Sequence, residues 1–197
     1  PSNKEEATAV EKVLSQSLYK VGSVKRTVMK SHAPAPFITS TMQQDGSIKL
    51  GVSAPQIMQI AQRLYEGVST PNGNVALITY MRTDSVRVSQ ESQRKAREYI
   101  EQKFGSEYLP ARPNVYKSKK DAQDAHEAIR PIDIRKTPES VQDILDKNQY
   151  KLYKLIYDRF IASQMSEAVY NSVSVEVKAN EYTLKTSGKT LAFKGYL

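Results

Sequence analysis

The hydrophobic period of this sequence changes twice along the chain. From residue 18 to residue 30, β-branched residues alternate with polar neighbours, which is typical of a half-buried strand with a bend at Gly22. Alternation returns at residues 173–177, 182–184 and 191–196, and predicts three further strands. A fold built only from helices is therefore excluded.

Between these regions, apolar residues recur with the period of a helix as far as about residue 163. Serines that can cap helices, glycines that can end them and a proline in a first turn mark the boundaries. The pattern predicts five helices, the first of them short and at the amino terminus. Four begin near Ser2, Ser53, Ser89 and Thr137, and the fifth carries the apolar residues 152–161.

Strands at both ends with helices between them predict an α+β protein of more than one domain. Pro34 and Pro36 lack amide donors and keep their predecessors out of helical geometry, which favours a domain boundary there. Because chain termini usually lie close together, we expect a discontinuous β domain of residues 1–36 and 166–197. A helical domain of residues 37–165 is inserted into it.

Composition points to an anionic partner. The 197 residues carry a formal net charge of +8, spread over both parts of the chain, which suits a surface that follows a phosphate backbone. The absence of Cys excludes disulfides, thiol catalysis and Cys-bound metals, and permits a reducing cytoplasm. No apolar run is long enough to predict a membrane span. A start at Pro1, without an initiator Met, leads us to expect a fragment.

One segment combines a tyrosine with groups that bind phosphate. An apolar, strand-like run leads to Tyr80, and Arg82, Thr83 and Asp84 follow closely. A tyrosine oxygen that attacks a phosphodiester forms a covalent phosphotyrosine, and a nearby guanidinium favours the phenolate and holds phosphate oxygens. Spacing alone leaves open that Tyr80 is one of twelve tyrosines packed in the fold and that Arg82 and Asp84 are a surface pair.

A second segment, residues 125–131 (Ala-His-Glu-Ala-Ile-Arg-Pro), carries further groups suited to phosphate. If residues 121–129 are helical, His126 and Arg130 share one face and can reach the same phosphate, while Glu127 orients neighbours. Histidine can also carry a proton, because its pKa lies near neutrality. A helix end explains the segment about as well.

Three other patterns carry no assignment. Residues 186–190 end like a phosphate-binding loop but lack its first glycine, and we interpret them as a hairpin turn. The basic run at 117–120 is more typical of a solvated loop. Asp121, Asp124 and Glu127 do not predict a metal site, because at helical spacing Asp121 and Glu127 point nearly opposite ways.

Residues 78–85 (Ile-Thr-Tyr-Met-Arg-Thr-Asp-Ser) resemble the active-site tyrosine segment of type IA DNA topoisomerases, in particular bacterial DNA topoisomerase I. Residues 125–131 resemble the second signature of that family. Further similarity is found in residues 34–44 (Pro-Ala-Pro-Phe-Ile-Thr-Ser-Thr-Met-Gln-Gln) and 58–66 (Met-Gln-Ile-Ala-Gln-Arg-Leu-Tyr-Glu). Four segments in the family's order, spread over nearly the whole chain, make the resemblance specific.

The resemblance implies that Tyr80 is the nucleophile, linked to the 5′-phosphate of one DNA strand, and that Arg82 positions the scissile phosphate and helps to activate Tyr80. It implies that His126 and Arg130 contact DNA near the break. Supporting candidates for DNA binding are Glu127, Thr83 and Asp84. The implied fold is a helical gate inserted in a β arch around a DNA-sized hole, in a monomer that relaxes negative supercoils without ATP.

In this family the Mg²⁺ ligands lie in a separate Toprim domain that contains an Asp-x-Asp pair, and no such pair occurs in this sequence. We therefore expect Mg²⁺ to belong to the intact enzyme, with no cofactor bound by this chain. We expect the chain alone to bind DNA, preferably single-stranded, without relaxing it. Two other classes stay open, a noncovalent nucleic-acid-binding module and a structural domain that does not bind DNA.

Overall fold

The structure is a computed structural model that describes residues 1–70, 73–117 and 126–197. It divides into two compact units, in which strands dominate the first and helices the second. The first unit consists of Pro1–Ser31 and Ala168–Lys194, and the second of His32–Glu167 and Gly195–Leu197. In chain order the elements are α1 (Lys4–Ser15), β1 (Tyr19–Ser31), α2 (Thr39–Leu50), α3 (Ala54–Glu66), β2 (Val68–Thr70), β3 (Gly73–Val75), α4 (Gln90–Phe104), α5 (Lys147–Ser163), β4 (Ala168–Ala179) and β5 (Tyr182–Phe193).

The boundary between the units differs from the one that the prolines predict. The first unit ends at Ser31 rather than Pro36, and residues 166–167 also belong with the helices. Ala33 is buried, and its carbonyl oxygen accepts a hydrogen bond from the hydroxyl of Tyr116. The prolines keep this segment extended, but an extended backbone still offers carbonyl groups to donors of the helical unit.

The sheet of the first unit has the order β1-β4-β5, and both pairs of neighbouring strands are antiparallel. In β1 the pairing register shifts between Val21 and Ser23, so that Gly22 forms a bulge where the sequence predicts a bend.

The turn predicted at residues 186–190 is wrong. These residues lie within β5, where Thr186 pairs with Val175 of β4. The chain reverses at Asn180 instead, whose φ of 52° is a left-handed conformation that asparagine tolerates better than most residues. A run of small polar residues is typical of a turn, but such residues also occur in exposed strands. The two strands predicted on either side are therefore one strand.

The caps predicted at Ser53 and Ser89 are confirmed as the N-caps of α3 and α4, whereas Asp146, the N-cap of α5, was not predicted. The side chains of Asn3, Ser89 and Asp146 accept backbone hydrogen bonds at the starts of α1, α4 and α5. Gly67 and Gly105 follow α3 and α4 with φ values of 115° and 109°, which other residues rarely adopt. The first cap is one residue later than the sequence predicts.

Two helical segments differ from the prediction. The helix predicted after Thr137 is a short 3₁₀ segment, Glu139–Ile144, because α5 starts almost immediately after it and leaves no room for a longer helix. Helix α2 is not predicted at all. Only Met42 and Gly46 of this helix are buried, so its sequence lacks a helical apolar period.

The core of the second unit places the two signature segments side by side. Ile78 and Ile129 are fully buried. Ile78 pairs with Pro131, and Ile129 pairs with Phe37, in isolated antiparallel bridges. Other fully buried side chains around them include Met42, Ile57, Leu64, Leu77, Met81, Ile100, Leu152, Tyr153 and Ile156. Within the described ranges, none of the helices has the length and apolar character needed to cross a membrane.

Ionisation of Tyr116 is expected to destabilise this unit at alkaline pH. Its hydroxyl lies 3.2 Å from the carbonyl oxygen of Ala33 and 2.9 Å from that of Ser163, and burial raises its pKa from 10.0 to about 12. Because the folded pKa exceeds the unfolded one, the stability from this group is complete below pH 10 and is lost as the pH rises towards 12. We expect urea unfolding to show a steeper loss of stability over this range in the wild type than in Tyr116→Phe. Equal slopes would contradict the prediction.

Candidate active site

Tyr80 follows a backbone segment held rigidly by the core. Ile78 is fully buried. The amide of Thr79 donates to the carbonyl oxygen of Arg130 at 3.0 Å, and its hydroxyl donates to that of Ala128 at 2.7 Å. These bonds tie the tyrosine segment to the segment that carries His126, and they fix the point from which the side chain of Tyr80 leaves the core.

Two aromatic rings flank the phenol of Tyr80. The ring of Tyr65, near the end of α3, meets it edge to face with centroids 5.3 Å apart, and the imidazole of His126 lies 5.8 Å from it. Such ring pairs contribute stability beyond the area they bury. Tyr80 is nevertheless 38% exposed. The phenol is thus restrained by its neighbours while a substrate can still reach it.

An open pocket of about 490 Å³ is lined by one of these rings, that of His126, whereas Tyr80 and Tyr65 are not lining residues. Arg82 and Asp84 are exposed and line it, together with His126. The start of α2 forms the opposite wall. A guanidinium and an imidazole at one opening can hold the oxygens of a phosphate. The polar lining residues are Thr39, Ser40, Gln43, Arg82, Asp84 and His126, with Thr83 below them.

Thr83 lies on the buried side of the loop that carries Arg82 and Asp84. It is 6% exposed, and its hydroxyl accepts a hydrogen bond from the amide of Ser85 at 3.1 Å. Its own amide donates to the hydroxyl of Thr39 at 2.9 Å. Thr83 therefore supports the loop from within, whereas its neighbours Arg82 and Asp84 face the solvent.

Arg130 is bound by its own segment. Its Nε donates to Glu127 Oε2 at 2.7 Å, Nη2 lies 2.5 Å from the same oxygen, and Nη1 donates to the Pro131 carbonyl oxygen at 2.9 Å. The side chains of Arg130 and Glu127 are only 12% and 22% exposed. The guanidinium thus has three bonds inside the protein, and only a small part of it faces the solvent.

The helix expected over residues 121–129 is wrong where it can be tested. Residues 126–129 are not helical. Ile129 pairs with Phe37, and the amide of Ala128 donates to the carbonyl oxygen of Arg87. Tertiary hydrogen bonds have therefore replaced the helical ones. Residues 121–125 lie outside the described residues, as do residues 118–120 of the basic run.

Removal of the Glu127 charge should destabilise the fold. In Glu127→Gln the guanidinium of Arg130 stays largely buried without its anionic partner. We expect the free energy of unfolding to fall by about 1.5–3 kcal/mol, in the range for hydrogen bonds to charged groups, as measured by urea unfolding at neutral pH.

Asp133→Asn is the matched control, because Asp133 binds Arg135, whose side chain is 86% exposed. An exposed pair contributes little, so this control should change stability much less than Glu127→Gln. Two equally small changes would show that Arg130 does not depend on Glu127.

The residues of this site do not fit a magnesium site. No group of three or more His, Cys, Asp or Glu side chains within the described ranges could hold a metal ion. Asp84 borders the pocket without a second carboxylate among the lining residues. Asp121 and Asp124 lie outside the described residues.

The chain is similar to known proteins over nearly its whole length. A family model described as DNA topoisomerase matches residues 2–197. The chain belongs to the DNA topoisomerase family. DNA topoisomerase 1 of Campylobacter jejuni is 44% identical over 196 residues, which cover 99% of this chain and 28% of that protein. DNA topoisomerase 1 of Haemophilus influenzae is 46% identical and covers all of this chain and 22% of that protein.

The topoisomerase chain thus spans about a quarter of the length of these relatives. Its structure is similar to that of full-length topoisomerase I from Thermotoga maritima, with a TM-score of 0.84 and 40% identity over 96% of this chain and 31% of that one. The resemblance seen in the four segments and the mixed α+β class are confirmed. The insertion of one domain into the other stays a prediction.

Two residues at this candidate site were not predicted from their chemistry. Tyr65 touches the ring of Tyr80, and Thr39 binds the loop that contains Arg82. Both lie within segments that resemble the family, residues 58–66 and 34–44. Those segments were the available signal, since the chemistry of a lone Thr or Tyr does not single it out.

Proposed function

We propose that this chain carries the nucleophile of a type IA DNA topoisomerase, which cleaves and rejoins one DNA strand and so relaxes negative supercoils without ATP. One observation supports this most directly. In a chain of the DNA topoisomerase family, the partly exposed phenol of Tyr80 contacts the rings of Tyr65 and His126, and His126 in turn lines a pocket together with Arg82.

Cleavage is a transesterification. The Oη of Tyr80 attacks the scissile phosphorus, the new P–Oη bond forms, and the bond from phosphorus to the 3′-oxygen of the neighbouring nucleotide breaks. The phenolic proton is lost as the phenol reacts, and the released 3′-oxygen gains a proton. Because one phosphodiester replaces another, rejoining is the reverse reaction and needs no ATP.

Arg82 and His126 supply the charge and hydrogen bonds that this reaction needs. Arg82 is exposed in the pocket, where its guanidinium can hold the scissile phosphate and stabilise the negative charge of the transition state. His126 lines the same pocket and contacts the ring of Tyr80, so it can donate a hydrogen bond to the DNA near the break. Asp84 is a further candidate at the rim.

We assign a supporting role to three of the candidate residues, Arg130, Glu127 and Thr83, which stabilise the backbone of the two segments. The bonds among Arg130, Glu127 and Pro131 brace the segment that presents His126. Thr83 braces the loop that presents Arg82. We therefore propose that these three residues support the groups that contact DNA rather than bind the DNA themselves.

The remaining components are also part of the proposal. A phosphate can reach the pocket most easily on an unpaired strand, which favours single-stranded DNA as the partner. The resemblance to the family suggests that a Toprim part of the enzyme completes the site and binds Mg²⁺. We further propose that the enzyme acts as a monomer in the cytoplasm.

A denaturing gel tests the proposal. The chain is incubated with a single-stranded oligonucleotide labelled at its 3′ end, with and without magnesium and the Toprim part of a relative expressed separately. The label is at the 3′ end because a 5′-phosphotyrosine retains the downstream part of the strand. We expect a labelled protein–DNA adduct that needs the added Toprim part and magnesium.

The absence of any adduct would contradict the proposal. If salt-dependent DNA binding persisted in that case, the chain would be a noncovalent binding module. If DNA binding were also absent, a structural interaction domain would remain.

A further inference from the structure

A single hydroxyl joins the start of α2 to the loop that carries Arg82. The Oγ1 of Thr39 lies 2.8 Å from the carbonyl oxygen of Met81 and 3.0 Å from that of Thr83, and it accepts a hydrogen bond from the Thr83 amide at 2.9 Å. The amide of Thr39 also donates to the Thr83 carbonyl oxygen at 2.9 Å. Residues 44 positions apart are thereby joined.

These bonds hold both backbone neighbours of Arg82. Met81 is fully buried and Thr83 is 6% exposed, whereas Arg82 between them is exposed and lines the pocket. A residue between two immobile neighbours can point its side chain only into a limited region.

We propose that Thr39 is a positioning residue, whose hydroxyl holds the loop so that the Arg82 guanidinium faces the phosphate attacked by Tyr80. The inference rests on the proposed function. Thr39 lines the same pocket, but its hydroxyl is already bonded to the backbone of Met81 and Thr83, so the role assigned to it is to hold the loop. Displacement of a catalytic group by about 1 Å can cost about 100-fold in rate, so a loop anchor can matter as much as a direct contact.

The substitution Thr39→Val tests this role, because valine has nearly the same shape and no hydroxyl. With saturating oligonucleotide, magnesium and the Toprim part, we expect the rate of adduct formation to fall about 10- to 100-fold. DNA affinity should change little, since the loss concerns the reacting geometry rather than binding. Thr39→Ser keeps the hydroxyl and should restore most of the rate.

Thr41→Val is the matched control. Thr41 lies two positions further along the same helix, and its hydroxyl bonds only to the backbone of Ile38 among the described residues. Thr41→Val also removes a hydroxyl at the start of α2, but among the described residues this hydroxyl makes no hydrogen bond to the loop that carries Arg82. We expect a loss of stability without a change in the rate of adduct formation.

A double-mutant cycle distinguishes positioning from a general structural effect. If Thr39 acts through Arg82, Thr39→Val should have almost no further effect on the rate in the Arg82→Ala background. A full additional loss in that background, or a wild-type rate in Thr39→Val itself, would overturn the proposal.

Hydrogen exchange separates the inference from the proposed function. The Thr83 amide should exchange at least about tenfold faster in Thr39→Val than in the wild type, because it loses its acceptor. If this change occurs and the wild type forms no adduct, the contact is correct but both the function and the positioning role are wrong. If adducts form and the exchange rate is unchanged, the positioning role alone is wrong.

Discussion

Tyr80→Phe is expected to abolish the covalent protein–DNA adduct while DNA binding stays intact. The substitution removes the oxygen that we propose as the nucleophile and leaves the ring, so the contacts with Tyr65 and His126 can persist. Loss of a nucleophile typically costs several orders of magnitude, and we expect at least about a 1,000-fold loss of adduct on the denaturing gel.

Tyr19→Phe is the control for Tyr80→Phe. Tyr19 is 56% exposed, more than the 38% of Tyr80, so exposure alone would make it the better nucleophile. We expect this variant to form the adduct at the wild-type rate. An adduct that persists in Tyr80→Phe, or disappears in Tyr19→Phe, would show that the nucleophile is assigned wrongly.

Arg82→Ala should produce the second-largest effect. It removes the guanidinium from the pocket that Arg82 and His126 line, and the loss of one group that stabilises the transition state typically costs about 100- to 1,000-fold in rate. Single-stranded DNA binding should also depend less on salt, with a log–log slope smaller by about 0.7, because the variant neutralises one phosphate fewer. The rate comes from timed adduct gels and the slope from binding titrations at several salt concentrations.

Arg82→Lys and Arg112→Ala complete this test. Lysine keeps the positive charge but lacks the planar fork, so Arg82→Lys should recover binding better than rate. Arg112 is exposed in another part of the same unit, and Arg112→Ala removes an equal charge. If Arg112→Ala slowed adduct formation as much as Arg82→Ala, the effect would reflect net charge rather than the pocket.

The elements that could be predicted are those whose signals lie within a few neighbouring residues. The strand β1 and the helices α3, α4 and α5 have clear alternation, caps or terminating glycines. Helix α2 was missed because its buried side is too narrow to give a period. The turn at 186–190 was wrong because small polar residues occur both in turns and in exposed strands.

The candidate site was likewise predicted only in part from the sequence. Tyr80, Arg82 and His126 were found because their chemistry suits phosphate and their segments resemble a family. In the structure Arg82 and His126 line one pocket, and the ring of His126 contacts that of Tyr80, which does not line the pocket itself. The expected helical face shared by His126 and Arg130 was wrong, because tertiary hydrogen bonds keep residues 126–129 out of a helix and Arg130 binds Glu127 and Pro131. Periodicity cannot show which partner a side chain will choose.

The sequence by itself determined the class of fold and the family, and it supplied Tyr80 as the candidate nucleophile, because each is encoded in residue types at short spacing. Only the tertiary structure decided which side chains restrain that group. Tyr65 reaches Tyr80, and Thr39 reaches Thr83, through packing of α2 and α3 against the tyrosine segment. Such contacts join residues far apart in the chain, and their geometry depends on how the whole core packs.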